Sequence, residues 1–164
     1  MYQGEYDAVT EQRDGRGRFI FSNGDVYDGL WKNDLFNGYG RAIMHNGDYY
    51  IGEWKDDKKD GYGKYYYNYA GIYEGQWVND SEEGLGLWKL SDDLYYIGQC
   101  VNGERQGVGV CTQNSGDIQV GQWMNDKQHG VNMYIPKDGG QIEIQIYENE
   151  ELVETLLQIE NVYK

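Results

Sequence analysis

Short runs along the chain alternate between aromatic or small residues and polar ones. From Tyr27 to Lys32, the side chains of Tyr27, Gly29 and Trp31 fall on one side of an extended arm and those of Asp28, Leu30 and Lys32 on the other. Polar turn residues follow, as in Lys32-Asn33-Asp34 or Lys55-Asp56-Asp57-Lys58. A second run then opens on Gly-x-Gly. It closes at Asn23-Gly24, Asn46-Gly47, Ala70-Gly71, Ser115-Gly116 or Gly139-Gly140, pairs suited to turns that need positive φ. Asp92-Asp93 takes that place once, with a weaker turn signal. Period-two alternation broken by turns predicts antiparallel β-hairpins.

The hairpins repeat. The motif aromatic-x-Gly-x-aromatic occurs as Tyr2-Gly4-Tyr6, Tyr27-Gly29-Trp31, Tyr50-Gly52-Trp54 and Tyr73-Gly75-Trp77. It continues as Tyr96-Gly98-Cys100 and Gln119-Gly121-Trp123, and its glycines are spaced 25, 23, 23, 23 and 23 residues apart. A Gly-x-Gly follows each, from Gly15/Gly17 to Gly107/Gly109 and then Gly130/Asn132, always 23 residues on. A turn centred near Asp34-Leu35 sets Trp31 opposite Gly38 and Gly29 opposite Gly40. Large rings then face missing side chains, and rings of successive hairpins can lie flat across the glycines and stack in a row.

Composition agrees with a thin β structure: 24 glycines, one proline, 17 tyrosines and five tryptophans. The net charge of −14 argues against nucleic acid as the partner, because phosphate binding needs an excess of lysine and arginine. It disfavours an anionic membrane less strongly. Two cysteines, Cys100 and Cys111, make no disulfide framework and are expected as reduced, buried thiols, with a redox pair as the alternative. The start of the chain has no basic-then-apolar leader pattern, and no stretch approaches the roughly 18 apolar residues of a spanning helix. A cytoplasmic location is expected.

Nothing in the pattern points to catalysis. His45 and His129 stand at loop positions without partner spacing, and no zinc pattern of His and Cys is present. Gly-x-Gly never opens a helix, so it cradles no phosphate. The acidic pairs Asp56-Asp57, Glu82-Glu83 and Asp92-Asp93 read as solvated turn residues without the full ligand set of a calcium loop. No enzyme activity, metal or cofactor is expected.

The segments Tyr27 to Gly40 and Tyr50 to Gly63 closely resemble the MORN (membrane occupation and recognition nexus) repeat. The resemblance runs from residue 2 to about 142 and departs from the pattern at Cys100, Gln119 and Asn132. It implies an all-β fold, an elongated, solenoid-like array of antiparallel hairpins forming one twisted sheet. Six such repeats occupy 1–142. Residues 143–164 read as a degenerate capping hairpin, with Ile142, Ile144 and Ile146 on the Tyr-Gly-Trp positions; a short helix is the alternative. Tyr27, Gly29, Trp31, Tyr50, Gly52, Trp54, Tyr73, Gly75, Trp77, Gly121 and Trp123 are the structural repeat positions. Aromatic rows can also stack sugars or lipid headgroups, as choline- and glucan-binding repeats do with a different motif order.

The opposite side chains are free to carry a partner. Arg16, Arg18, Arg41, Tyr62 and Lys64 make its early part basic and aromatic; Leu85, Leu87, Val108, Val110, Val131 and Met133 make its late part apolar. This pattern suits one extended or helical protein segment, acidic at one end and apolar at the other, unless curvature of the array buries the late stripe. The resemblance implies a scaffold in a cytoskeletal, ciliary or membrane-apposed assembly. A peripheral phosphoinositide-binding module is the alternative, resting on Arg16, Arg18, Arg41 and Lys64. Exposed end strands leave open pairing with another copy of the chain.

Overall fold

A computed structural model describes residues 1–160. All regular structure among them is antiparallel strand. The residues form two compact units, 1–81 and 82 onward. The first holds β1 (Tyr2–Tyr6), β2 (Arg13–Ile20), β3 (Val26–Lys32), β4 (Leu35–Ile43), β5 (Tyr49–Lys55), β6 (Lys58–Tyr67) and β7 (Gly71–Val78). The second holds β8 (Ser81–Lys89, from its second residue), β9 (Tyr95–Val101), β10 (Glu104–Thr112), β11 (Ile118–Met124), β12 (Lys127–Ile135), β13 (Ile142–Glu148) and β14 (Glu151–Ile159). Within each unit every strand pairs with its neighbours in sequence, so each hairpin lies beside the next.

The turn between paired arms is tighter than the sequence suggests. Asn33 and Asp34 both take positive φ, 50° and 69°, as do Asp56-Asp57, Asn125-Asp126 and Asn149-Glu150. Two consecutive left-handed residues make the turn whose twist matches the strands, and Asn and Asp tolerate that conformation best. The second arm therefore starts at Leu35, three residues before Gly38. Trp31 pairs with Phe36, not with Gly38; a bulge follows, and Gly29 meets Gly40 as expected. Gly38 instead lies opposite Trp54 of the next hairpin.

The core is the Tyr-Gly-Trp side. The ring lying on the glycines is the tyrosine of the same hairpin, and Tyr27 donates a hydrogen bond to the Leu30 carbonyl at 2.9 Å. Rings of neighbouring hairpins do not stack flat. Trp31 stands edge-on to Tyr27 (5.2 Å, 86°) and to Tyr2 (5.3 Å, 81°), and Trp54 edge-on to Tyr27 (5.5 Å, 87°). This T-shaped series suits ring quadrupoles better than a face-to-face stack. It also turns each indole N–H toward the preceding hairpin: Trp31, Trp54 and Trp77 donate to the carbonyls of Gly17, Gly40 and Gly63.

Residues 142–159 form the hairpin β13–β14, and the last four residues of the 143–164 segment lie outside the described residues. Its register differs from the sequence expectation. Asn132, in the place of a second glycine, pairs with Gln145, so Gln145 takes the glycine position. Ile144 pairs with Met133 on the other face. The Pro136–Gln141 connection is one residue longer than Phe21–Asp25 or Gln113–Asp117. A one-residue slip carries every side chain of a strand to the opposite face.

Candidate partner-binding site

Two faces offer themselves. On the aromatic side of the first unit the rings are covered. Arg13, at the start of β2, lies over Trp31 at 4.1 Å, Phe36 stacks on Tyr27 at 3.7 Å, and Lys59 lies over Trp77 at 4.2 Å. Each cover falls 23 residues after the last. Burial pushes the phenols of Tyr27 and Tyr50 well above the usual tyrosine range. These rings form a core and are no reactive surface.

The opposite side carries the residues predicted to meet a partner. In the first unit one cross-strand row runs Arg18, Asp28, Arg41, Ile51, Lys64, Glu74. Arg18 pairs with Asp28 at 2.5 Å and Lys64 with Glu74 at 3.0 Å. The expected basic stripe is thus interleaved with acidic partners from the first arms, Asp28 and Glu74, with uncharged Ile51 between Arg41 and Lys64. Lys64 beside it holds the Glu74 carboxyl below its ordinary range. Arg16 and Arg41 are exposed, and Tyr62 donates its hydroxyl to Glu74.

A row at the corresponding repeat positions of the second unit carries no charge. It runs Leu87, Ile97, Val110, Val120, Met133, Ile144, Leu157 over seven consecutive strands, each residue directly paired with the next. Leu85, Val108 and Val131 lie alongside it, 66%, 60% and 50% exposed. Pairing therefore joins Leu87, Val110 and Met133 in one row, with Leu85, Val108 and Val131 two residues along the same arms. Ile97, Val120, Ile144 and Leu157 complete the row.

The acidic pairs are not idle turn residues. Asp34, Asp57, Asp80 and Asp126 accept the backbone N–H of Arg13, Phe36, Lys59 and Arg105, each in the hairpin before. Glu82 and Glu83 lie within β8, not on a turn; Glu82 is buried, and Glu83 accepts the Asn102 N–H at 3.0 Å. The signal for these carboxylates was their 23-residue recurrence, which the turn reading discarded.

The second unit breaks the aromatic pattern where the sequence departs from it. Cys100 and Cys111 are free and buried, and desolvation raises the Cys100 thiol to about 11 and pushes Cys111 up as well. Gln119 replaces the tyrosine, and the Asn132 side chain fills the space over Gly121 where that ring would lie. Trp123 Nε1 lacks the carbonyl partner that the earlier indoles have. Among the described residues, no group of three or more His, Cys, Asp or Glu side chains could hold a metal ion.

The MORN repeat family model matches residues 12–26, 27–49, 50–68, 73–94, 96–118 and 120–131. The chain belongs to the MORN repeat family. The first five matched MORN segments each take in a Gly-x-Gly, and the last ends just before Asn132, which stands in the place of the second glycine. Among solved structures, the SAS-4 (dCPAP) TCP domain of Drosophila melanogaster, in complex with a proline-rich motif of Ana2 (dSTIL), is similar at 15% identity and a TM-score of 0.52. The match covers 88% of the MORN chain and 83% of that one, and at this identity the likeness is one of fold. No curated protein matches the chain.

Proposed function

We propose that this MORN chain is a non-catalytic protein-binding scaffold, and that an apolar extended or helical segment of its partner lies across Leu85, Leu87, Val108, Val110, Val131 and Met133. The observation that carries the reading is the uncharged row over β8–β14, partly exposed and flanked by Leu85, Val108 and Val131, which are half exposed or more, in a chain of net charge −14. Contiguous apolar patches of this kind mark interaction surfaces. The fold neighbour, which holds a proline-rich motif, supports a protein segment as occupant. Because Arg18 and Lys64 are already ion-paired, an acidic end to the segment loses its main counterparts, and so does the phosphoinositide reading. A place in a cytoplasmic cytoskeletal, ciliary or membrane-apposed assembly extends this reading from the family.

The test is the double substitution Leu87→Asp with Val110→Asp. The expected result is an unchanged circular dichroism spectrum and loss of the partners that the unaltered chain captures from its native source. Unchanged capture by the folded variant ends the proposal. Sedimentation with phosphoinositide vesicles at moderate salt checks the lipid alternative, and salt-sensitive binding there would replace the scaffold reading.

A further inference from the structure

The departures from the repeat in the second unit open a cleft of about 680 Å³ on the aromatic face. Its walls are Trp88, Tyr96 and Trp123, with Cys111 and Gln119 between them. Position 111 carries a ring in four other repeats, as Phe19, Tyr65, Trp88 and Tyr134, and Gln119 stands where the five preceding repeats carry tyrosine, from Tyr2 to Tyr96. The cleft is the space a ring at position 111 would fill; the seat of a tyrosine at 119, over Gly121, is taken by the Asn132 side chain. Arg105 lies over Trp123 at 4.1 Å and bonds Asp126 at 3.1 Å, so its charge is already matched. Glu150 stands at the same opening. Residues 82–164 hold 14 Asp and Glu against five Lys and Arg, a net charge of −9.

We propose that this cleft binds a basic, proline-containing extended segment of a partner protein, on the face opposite the apolar row and independently of it. Proline rings are flat, apolar and conformationally prepaid, and polyproline segments dock in aromatic-lined grooves. Gln113 and Gln128 each give one side-chain N–H to Gln119 Oε1, and the second N–H of each amide is the donor a proline segment's carbonyls would accept from. Acidic surroundings favour arginine or lysine beside the prolines.

The experiment is fluorescence polarisation of a labelled short peptide of alternating prolines and arginines, titrated with the full chain. Saturable binding is expected, weakened by added salt and by replacing the arginines with glutamate. Cys111→Tyr restores a ring found at this position in other repeats; it should keep the fold and weaken binding roughly tenfold or more. Should that variant not fold, Cys111→Phe carries the ring of Phe19 into the cleft without a hydroxyl to satisfy, with the same expected loss. Leu87→Asp with Val110→Asp should leave the peptide's affinity unchanged, which separates this proposal from the first. No saturable binding, equal affinity for the glutamate peptide, or full affinity in a folded filled variant overturns it. So does saturable binding of a neutral glucan oligosaccharide in place of the peptide.

Discussion

A methyl group added at Gly40 would meet the Tyr27 hydroxyl and come within 2.6 Å of the ring carbon that bears it. Backbone strain plays no part there, because the residue is extended. Gly40→Ala should therefore lower stability by about 1–3 kcal/mol, the range for overpacking a core, read from the denaturant midpoint. Gly139 makes the contrast: no atom lies within 4 Å of its would-be methyl, but its φ is +72°. Gly139→Ala should cost about 1–2 kcal/mol through left-handed strain alone. The cysteines are legible at the same scale. With the Cys100 thiol raised to about 11 by burial, roughly one molecule in a thousand carries that thiolate at pH 8. Labelling of the folded chain by a disulfide reagent should be slow and become fast on adding denaturant.

Neighbouring hairpins are joined by more than strand ladders. Turn carboxylates at Asp34 and Asp57 reach back to the N–H groups of Arg13 and Phe36, and at the other end of the hairpins Asp48 and Asp117 accept from Asn68 and Lys137. Asp57→Ala should cost about 0.5–1.5 kcal/mol, the net worth of one hydrogen bond. Hydrogen bonds hold the Asp34, Asp48 and Asp117 carboxyls below the ordinary aspartate range, and the His45 contact does the same at Asp25. A carboxyl whose folded value is depressed stabilises the fold fully above its unfolded value, near 3.9, and loses that contribution as pH falls through the folded value. The melting temperature should be flat from pH 7 to about pH 5 and fall steadily below pH 4.

Taken over the whole chain, chemistry divides between the two units. In the first unit a row of cross-strand neighbours sets opposite charges side by side, as where Arg18 meets Asp28; in the second unit the residues at the corresponding repeat positions are apolar throughout. Exposed ion pairs contribute little, so Arg18→Ala should change stability by less than about 1 kcal/mol. Such a row leaves no uncharged stripe on that face, whereas the second unit carries one, the surface that the proposed function assigns to a partner. A fragment comparison follows from that division: mutations of Val110 or Met133 to Asp should abolish partner capture, and the same change at Ile51 should not.

The 23-residue period, the hairpin, and which side chains face inward were legible in the sequence, because alternation around Tyr-Gly-Trp is local and a ring needs the gap a glycine leaves. Tertiary structure decided the pairing partners. Whether Trp31 meets Gly38 or Phe36 depends on where a two-residue turn falls, and whether Ile144 or Gln145 faces the core depends on one extra loop residue. Both slips leave the sequence pattern intact while changing the hydrogen-bond ladder. Likewise, cations on second arms met acids on first arms only when strands paired, and Cys111 and Gln119 came to line one cleft only because β10 and β11 place them opposite each other.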